Sequence, residues 1–258
     1  MGKPWKSPLR LYLTGRLTAE RGERRFDERR LPGRQGRRAL VYLALERAHP
    51  VPIDELADAV WGTATPAGAW ETALSAIVSK LRAALRGLDA RCAVTTAAGC
   101  YQLVLPEDAW VDVEAARRAL DEAEGHLRAG RPRAAWGPAN VAAAVAARPL
   151  LGSVEGEWIT RTRMALREMR VRALECLAAS ALANGEHPLA AALARTIVEL
   201  EPFRETGWQW LMRALAAAGN RAEAVRAYGR CKALLAEELG VSPAPETEAI
   251  VKALQARR

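Results

Sequence analysis

Apolar residues in the first third of the chain change their spacing twice. Between residues 8 and 31 they alternate with polar ones, in LRLYLTG and again in RRFDERRL. A period of two lines up one face of a strand, and Arg21-Gly22-Glu23 between the runs reads as a turn. After Gly33 the spacing lengthens to three and four. In RQGRRALVYLALERA, residues Leu40, Val41, Leu43, Ala44 and Leu45 fall on one face of a helix. His49-Pro50-Val51-Pro52 breaks it. A short second helix, IDELADAVW, carries Ile53, Leu56, Ala57 and Val60 as a core face; Gly62 ends it and Pro66 lies in the loop beyond. A third helix is expected over 68–85, with Trp70, Leu74, Ile77, Val78, Leu81 and Leu85 at three- and four-residue steps. The period of two then returns in CAVTTAAGCYQLVL, a hairpin with its turn expected at Ala97-Ala98. Strands, three helices and a closing hairpin describe a winged helix-turn-helix over residues 1–105.

Pro106-Glu107-Asp108 marks the expected boundary, and from Val113 onward only helix signals occur. The predicted helices are 113–129, 132–147, 157–184, 187–200, 204–218, 221–238 and 246–256. Gly185-Glu-His-Pro-Leu-Ala190 aligns with Gly219-Asn-Arg-Ala-Glu-Ala224 at an offset of 34, the tetratricopeptide period. Gly130-Arg-Pro-Arg-Ala-Ala135 repeats the glycine-to-alanine spacing at a different offset. The fold class expected is therefore mainly α: an N-terminal α+β winged helix, then an all-α tetratricopeptide-like repeat domain over 106–258.

Charge divides along the same line. Residues 1–105 carry 17 Lys+Arg against 10 Asp+Glu, and the remaining 153 residues carry 21 against 20. A basic head on a near-neutral helical body suits a polyanion partner. Residues 21–38 alone hold eight Arg against Glu23, Asp27 and Glu28, an excess suited to non-specific affinity and steering. No apolar run reaches the length of a signal segment or a membrane span, so no membrane partner is expected. Cys92, Cys100, Cys176 and Cys231 show no CxxC and no metal spacing; with the turn at Ala97-Ala98, Cys100 would face Thr95 and Cys92 would face Leu103, so reduced thiols in a cytoplasmic protein are the reading. His49, His126 and His187 lie too far apart in sequence to suggest a metal. No phosphate-cradling, zinc-binding or nucleophile-elbow motif occurs, so neither catalysis nor a cofactor is expected.

The candidate contacts follow from the third helix. Its polar face carries Thr72, Ser75, Ser79, Lys80 and Arg82, positioned to read base edges or phosphates in a major groove. Arg37 and Arg38 at the start of the first helix, and Thr95, Thr96 and Tyr101 in the hairpin, complete the set; Tyr101 reads equally as a packed strand aromatic. Trp61, Trp208, Trp210 and Tyr228 sit at helical spacing in apolar surroundings and read as core. Arg204 and Glu205 read as a structural pair at a helix start.

GRRALVYLAL, VPIDELADAVWG, VSKLRAAL and GCYQLVL together resemble the DNA-binding domain of the Streptomyces antibiotic regulatory protein (SARP) family. WVDVEAARRALDEA is similar to the start of that family's second module, the bacterial transcriptional activator domain. Pro202-Phe203-Arg204-Glu205, the Gly219, Ala224 and Tyr228 repeat core, and Glu238-Leu239-Gly240-Val241-x-Pro243 resemble its most distinctive part. The resemblance implies an OmpR-like winged helix and binding to direct repeats in double-stranded promoter DNA, with self-association there as head-to-tail pairs. It also implies recruitment of RNA polymerase through the sigma factor and alpha subunit, often at secondary-metabolite genes. Two departures stand out: Cys100 separates Gly99 from Tyr101 at the wing, and Glu71 replaces a basic or amide residue at the start of the recognition helix.

Overall fold

The computed structural model describes residues 7–62 and 68–256; the expected loop position Pro66 lies outside the described residues. The chain forms two compact units, residues 1–115 with 148–166, and residues 116–147 with 167–258. This division differs from the expected one at 105–106, because 148–166 returns to the first unit.

In the first unit, β1 (Arg10–Tyr12), β2 (Thr18–Arg21) and β3 (Arg24–Asp27) form an antiparallel meander. The turn between β2 and β3 falls at Gly22-Glu23, within the expected segment; the ERR that follows β3 is a 3-10 turn over Glu28–Arg30 rather than strand. A strand with no clear signal in the sequence, β7 (Trp110–Val111), pairs in parallel with β1, giving the order β3-β2-β1-β7. Three helices follow the meander: α1 (Gly33–Leu45), α2 (Ile53–Trp61) and α3 (Trp70–Leu88). Leu40, Leu43, Leu56, Leu74 and Leu81 are fully buried and make the core, as the three- and four-residue spacing requires. Between α1 and α2, β4 (Val51–Pro52) pairs with β6 (Cys100–Val104), which pairs with β5 (Ala93–Ala97) as the wing.

The wing register is shifted from the expected one. Ala97 faces Cys100 and Val94 faces Leu103, so the turn is Ala98-Gly99. Both turn residues take positive φ, +47° and +71°, as a type I′ turn demands, and glycine supplies the second at no steric cost. The four cysteines are unpaired; Cys92, Cys176 and Cys231 are buried and Cys100 is half-buried.

Asp112 closes this unit. It is 0 % exposed and opens α4 (Asp112–Arg128). Its carboxylate accepts from the Leu13, Thr14 and Val113 backbone N–H groups at 2.9, 3.0 and 2.8 Å, and from the Thr14 hydroxyl at 2.7 Å. Residues 148–166 dock on the same end: Gly15 N–H donates to the Pro149 carbonyl at 2.7 Å, and Thr14 bridges to Leu150.

The second unit takes in most of α4 and of α6 (Glu157–Ala183), together with α5 (Pro132–Ala146), α7 (His187–Leu200), α8 (Glu205–Ala217), α9 (Arg221–Leu239) and α10 (Pro245–Ala256). The repeat is visible in the turns. Gly130, Gly185 and Gly219 take φ of +68°, +80° and +81°. The residue after each glycine donates its N–H five residues back: Arg131 to His126, Glu186 to Ala181 and Asn220 to Leu215. This is the left-handed helix stop that glycine favours. The alanines five residues on, Ala135, Ala190 and Ala224, are buried, so neighbouring helices approach closely. Trp208, Leu211, Met212, Leu215 and Leu235 fill the core around α7, α8 and α9. Arg204 and Glu205 do not pair with each other: Arg204 donates to Glu168 and Glu175, at 2.7 and 3.1 Å, and Glu205 accepts from the Ala244 backbone N–H at 2.9 Å. Each ties a different segment to the start of α8.

Candidate nucleic-acid interface

The third helix shows two opposite faces. Leu74, Val78, Leu81 and Leu85 pack inward, leaving Thr72, Ser75, Ser79 and Lys80 exposed on the other side. Glu71 is also exposed, in the first turn, where a carboxylate favours the helix dipole. Arg82 is half-buried and committed to the wing: Nε donates to the Val94 carbonyl at 2.7 Å and Nη2 to the Thr96 hydroxyl at 2.6 Å. It therefore braces β5 against α3 rather than projecting a free guanidinium. Thr95 and Thr96 are exposed. Tyr101 is 8 % exposed, and its β6 position opposite Val51 makes it a packed strand aromatic, against its expected role as a contact.

The two arginines of α1 also depart from expectation. Arg38 is 7 % exposed, and its Nε donates to the Ala59 carbonyl at 2.9 Å; a phosphate cannot reach it without opening the helix packing. Arg37 is half-buried and pairs with Glu28 at 3.1 Å, while its Nε is buried without a partner among the described residues. Arg21 is held by Asp89 and Asp108, both at 2.8 Å. The other five arginines of 21–38, Arg24, Arg25, Arg29, Arg30 and Arg34, are exposed and have no ion-pair partner among the described residues. The total charge of this segment is evident in its sequence. Which arginines are free is not, because it depends on partners as distant as Asp89 and Asp108.

Asp89 is buried and anchors a small network where α3 ends. The Arg91 side chain bonds to it at 3.0 Å, and the Arg91 backbone N–H and Arg21 add to this. Hydrogen bonding from the Arg91 guanidinium holds its carboxyl down at about 2.

The bacterial transcriptional activator domain model matches residues 111–255. This chain belongs to that family, that of the SARP regulators. It is 31 % identical over 245 residues to regulatory protein AfsR of Streptomyces griseus, covering 92 % of this chain and 24 % of AfsR. It is 30 % identical over 220 residues to transcriptional regulatory protein MoaR1 of Mycobacterium tuberculosis, covering 83 % of this chain and 70 % of MoaR1. Transcriptional regulatory protein EmbR of Mycobacterium tuberculosis is 27 % identical over 219 residues, covering 83 % of this chain and 55 % of EmbR. The chain thus spans about a quarter of the length of AfsR and about half that of EmbR. Among solved structures, Mycobacterium tuberculosis EmbR in complex with a low-affinity phosphopeptide shares the fold at TM-score 0.88 and 24 % identity, over 98 % of this chain and 66 % of that one. That likeness is one of fold: mainly α, with an N-terminal winged helix and a tetratricopeptide-like helical domain. No helix among the described residues is long and apolar enough to cross a membrane.

Proposed function

We propose that this regulator binds promoter DNA sequence-specifically through α3 and activates transcription without catalysing a reaction. The observation that carries the reading is the exposed face of α3. Thr72, Ser75 and Ser79 are neutral and short enough to approach base edges, and Lys80 directly follows Ser79 as a phosphate contact. Thr95 and Thr96 extend the contact to the wing, and Arg82 holds helix and wing in one register. Arg24, Arg25, Arg29, Arg30 and Arg34 supply sequence-independent attraction to the duplex.

Residues 1–105 act as the DNA-binding head and 106–258 as the module that contacts RNA polymerase, through the sigma factor and alpha subunit, as the family resemblance implies. The operator is a pair of direct repeats read by head-to-tail copies at secondary-metabolite genes, and the protein works in the cytoplasm on the nucleoid. The test is binding of the full chain to promoter duplexes across a salt series. Affinity is expected to fall with a log–log slope of about −0.9 per phosphate neutralised. Lys80→Ala should weaken all sequences alike and reduce the slope magnitude by about 1. A response independent of salt, for promoter and random duplexes alike, overturns the proposal.

A further inference from the structure

A cavity of about 680 Å³ opens in the first unit, between α1, α2 and the first turns of α6. Tyr42, Trp61 and Trp158 line it. Trp61, expected from its spacing to be core, is only half-buried and stands on this wall. The walls are fixed. Trp158 Nε1 donates to the Ala59 carbonyl at 2.8 Å, the oxygen that also takes Arg38 Nε. Tyr42 meets Trp158 edge to face with ring centroids 5.1 Å apart, and its hydroxyl donates to Glu55 at 2.6 Å.

The charge here is opposite to that of the basic segment 21–38. Glu55, Asp58, Glu155 and Glu157 line the cavity with Arg161, which pairs with Glu157 at 3.2 Å, and the buried Arg38 guanidinium lies against the lining residues Ala59 and Gly156, so four carboxylates face two guanidinium groups. The Asp58 and Glu155 carboxylates have no ion-pair or hydrogen-bond partner among the described residues. No three carboxylates among the described residues are grouped closely enough to hold a metal ion. An anion would meet repulsion from the four carboxylates, and a neutral apolar ligand would leave them without a counter-charge. A cation with spaced charges satisfies both kinds of wall: ammonium groups pair with carboxylates, and the methylenes and charge lie against aromatic faces.

We infer that this cavity binds a small organic polyamine. The inference rests on the cavity alone, and its test uses no DNA. Spermidine is titrated into the full chain by calorimetry at about 0.15 M salt, with the tryptophan indole N–H resonances followed in parallel. One-to-one binding with a dissociation constant below about 1 mM is expected, with the Trp158 and Trp61 indoles among the shifted signals. The D58N/E155Q double variant removes two exposed charges and should keep its melting temperature while binding at least about tenfold more weakly. Trp61→Ala should weaken binding through loss of an aromatic wall. The proposal is overturned by no saturable binding up to about 10 mM, by unchanged affinity in D58N/E155Q, or by full displacement with magnesium at matched ionic strength. It is equally overturned if a tri-arginine peptide binds and spermidine does not, since the cavity would then receive a protein segment.

Discussion

Replacing Asp112 with alanine removes an acceptor that four donors share. Three are backbone N–H groups, of Leu13, Thr14 and Val113, and the fourth is the Thr14 hydroxyl. At 0 % exposure none regains water without local opening. A buried donor left unpaired costs about 1–3 kcal/mol, and partial relaxation around the smaller side chain offsets some of the four. The expected loss for Asp112→Ala is about 4 kcal/mol, a large part of a typical stability of about 5–15 kcal/mol. At roughly 2–4 °C per kcal/mol, the melting temperature should fall by about 8–16 °C. Asp112→Asn keeps one acceptor oxygen but turns an amide N–H₂ toward donors, and should cost about 2–3 kcal/mol. Thr14→Val removes one bond and should cost about 1 kcal/mol in the native background and nearly nothing in Asp112→Ala, because the hydroxyl's partner is already gone. Thermal unfolding by circular dichroism measures these four variants, the double one included, against the native chain. A melting temperature for Asp112→Ala within about 2 °C of the native chain, or full additivity with Thr14→Val, would refute the account.

Asp89, held at about 2 by Arg91, titrates near 3.9 in an unfolded chain, so its contribution to stability is complete above about pH 5 and is lost as pH falls toward 2. Asp89→Asn should therefore flatten the acid limb of a stability-against-pH curve, and an unchanged limb would count against the Arg91 contact. Burial pushes the Cys92, Cys176 and Cys231 thiols up to about 11, so a thiol reagent at pH 8 should label one residue quickly, the half-buried Cys100, and four only after denaturation. A Cβ at Gly207 would lie 2.8 Å from Ile197 Cγ2, so Gly207→Ala should force α7 and α8 apart at a cost of about 1–3 kcal/mol, read as a lower urea midpoint.

Regular spacing made much of this architecture legible. IDELADAVW is helical over the whole Ile53–Trp61 span, and His187–Leu200 has the expected ends, because apolar period and flanking breakers agree there. The glycine turns were readable for the same reason: one residue type at one spacing performs one conformational task. Features that depend on a distant partner were not. β7 is two residues long and exists because β1 offers it an edge, and Asp112 gives no local sign of four donors. The exposed face of α3 followed from its periodicity. Arg38 and Tyr101 did not separate from solvated residues, since a long or amphipathic side chain can be buried where its polar end finds a partner. The wing turn moved by one residue because Gly99 takes the second left-handed position more easily than alanine would.

The parallel pairing of β1 with β7 sets an order of events during synthesis. Arg10 and Leu11 leave the ribosome about 100 residues before Trp110 and Val111, their partners. At roughly 5–20 residues per second, that edge of the sheet waits for about 5–20 s, and Thr14 waits longer still for Leu150. Throughout the interval β1 offers unpaired backbone groups beside an arginine-rich hairpin whose charge discourages pairing with another chain. A fragment ending at residue 105 would keep that open edge permanently and would lack Asp112, so this nascent chain becomes self-sufficient only once its own helical half is under construction.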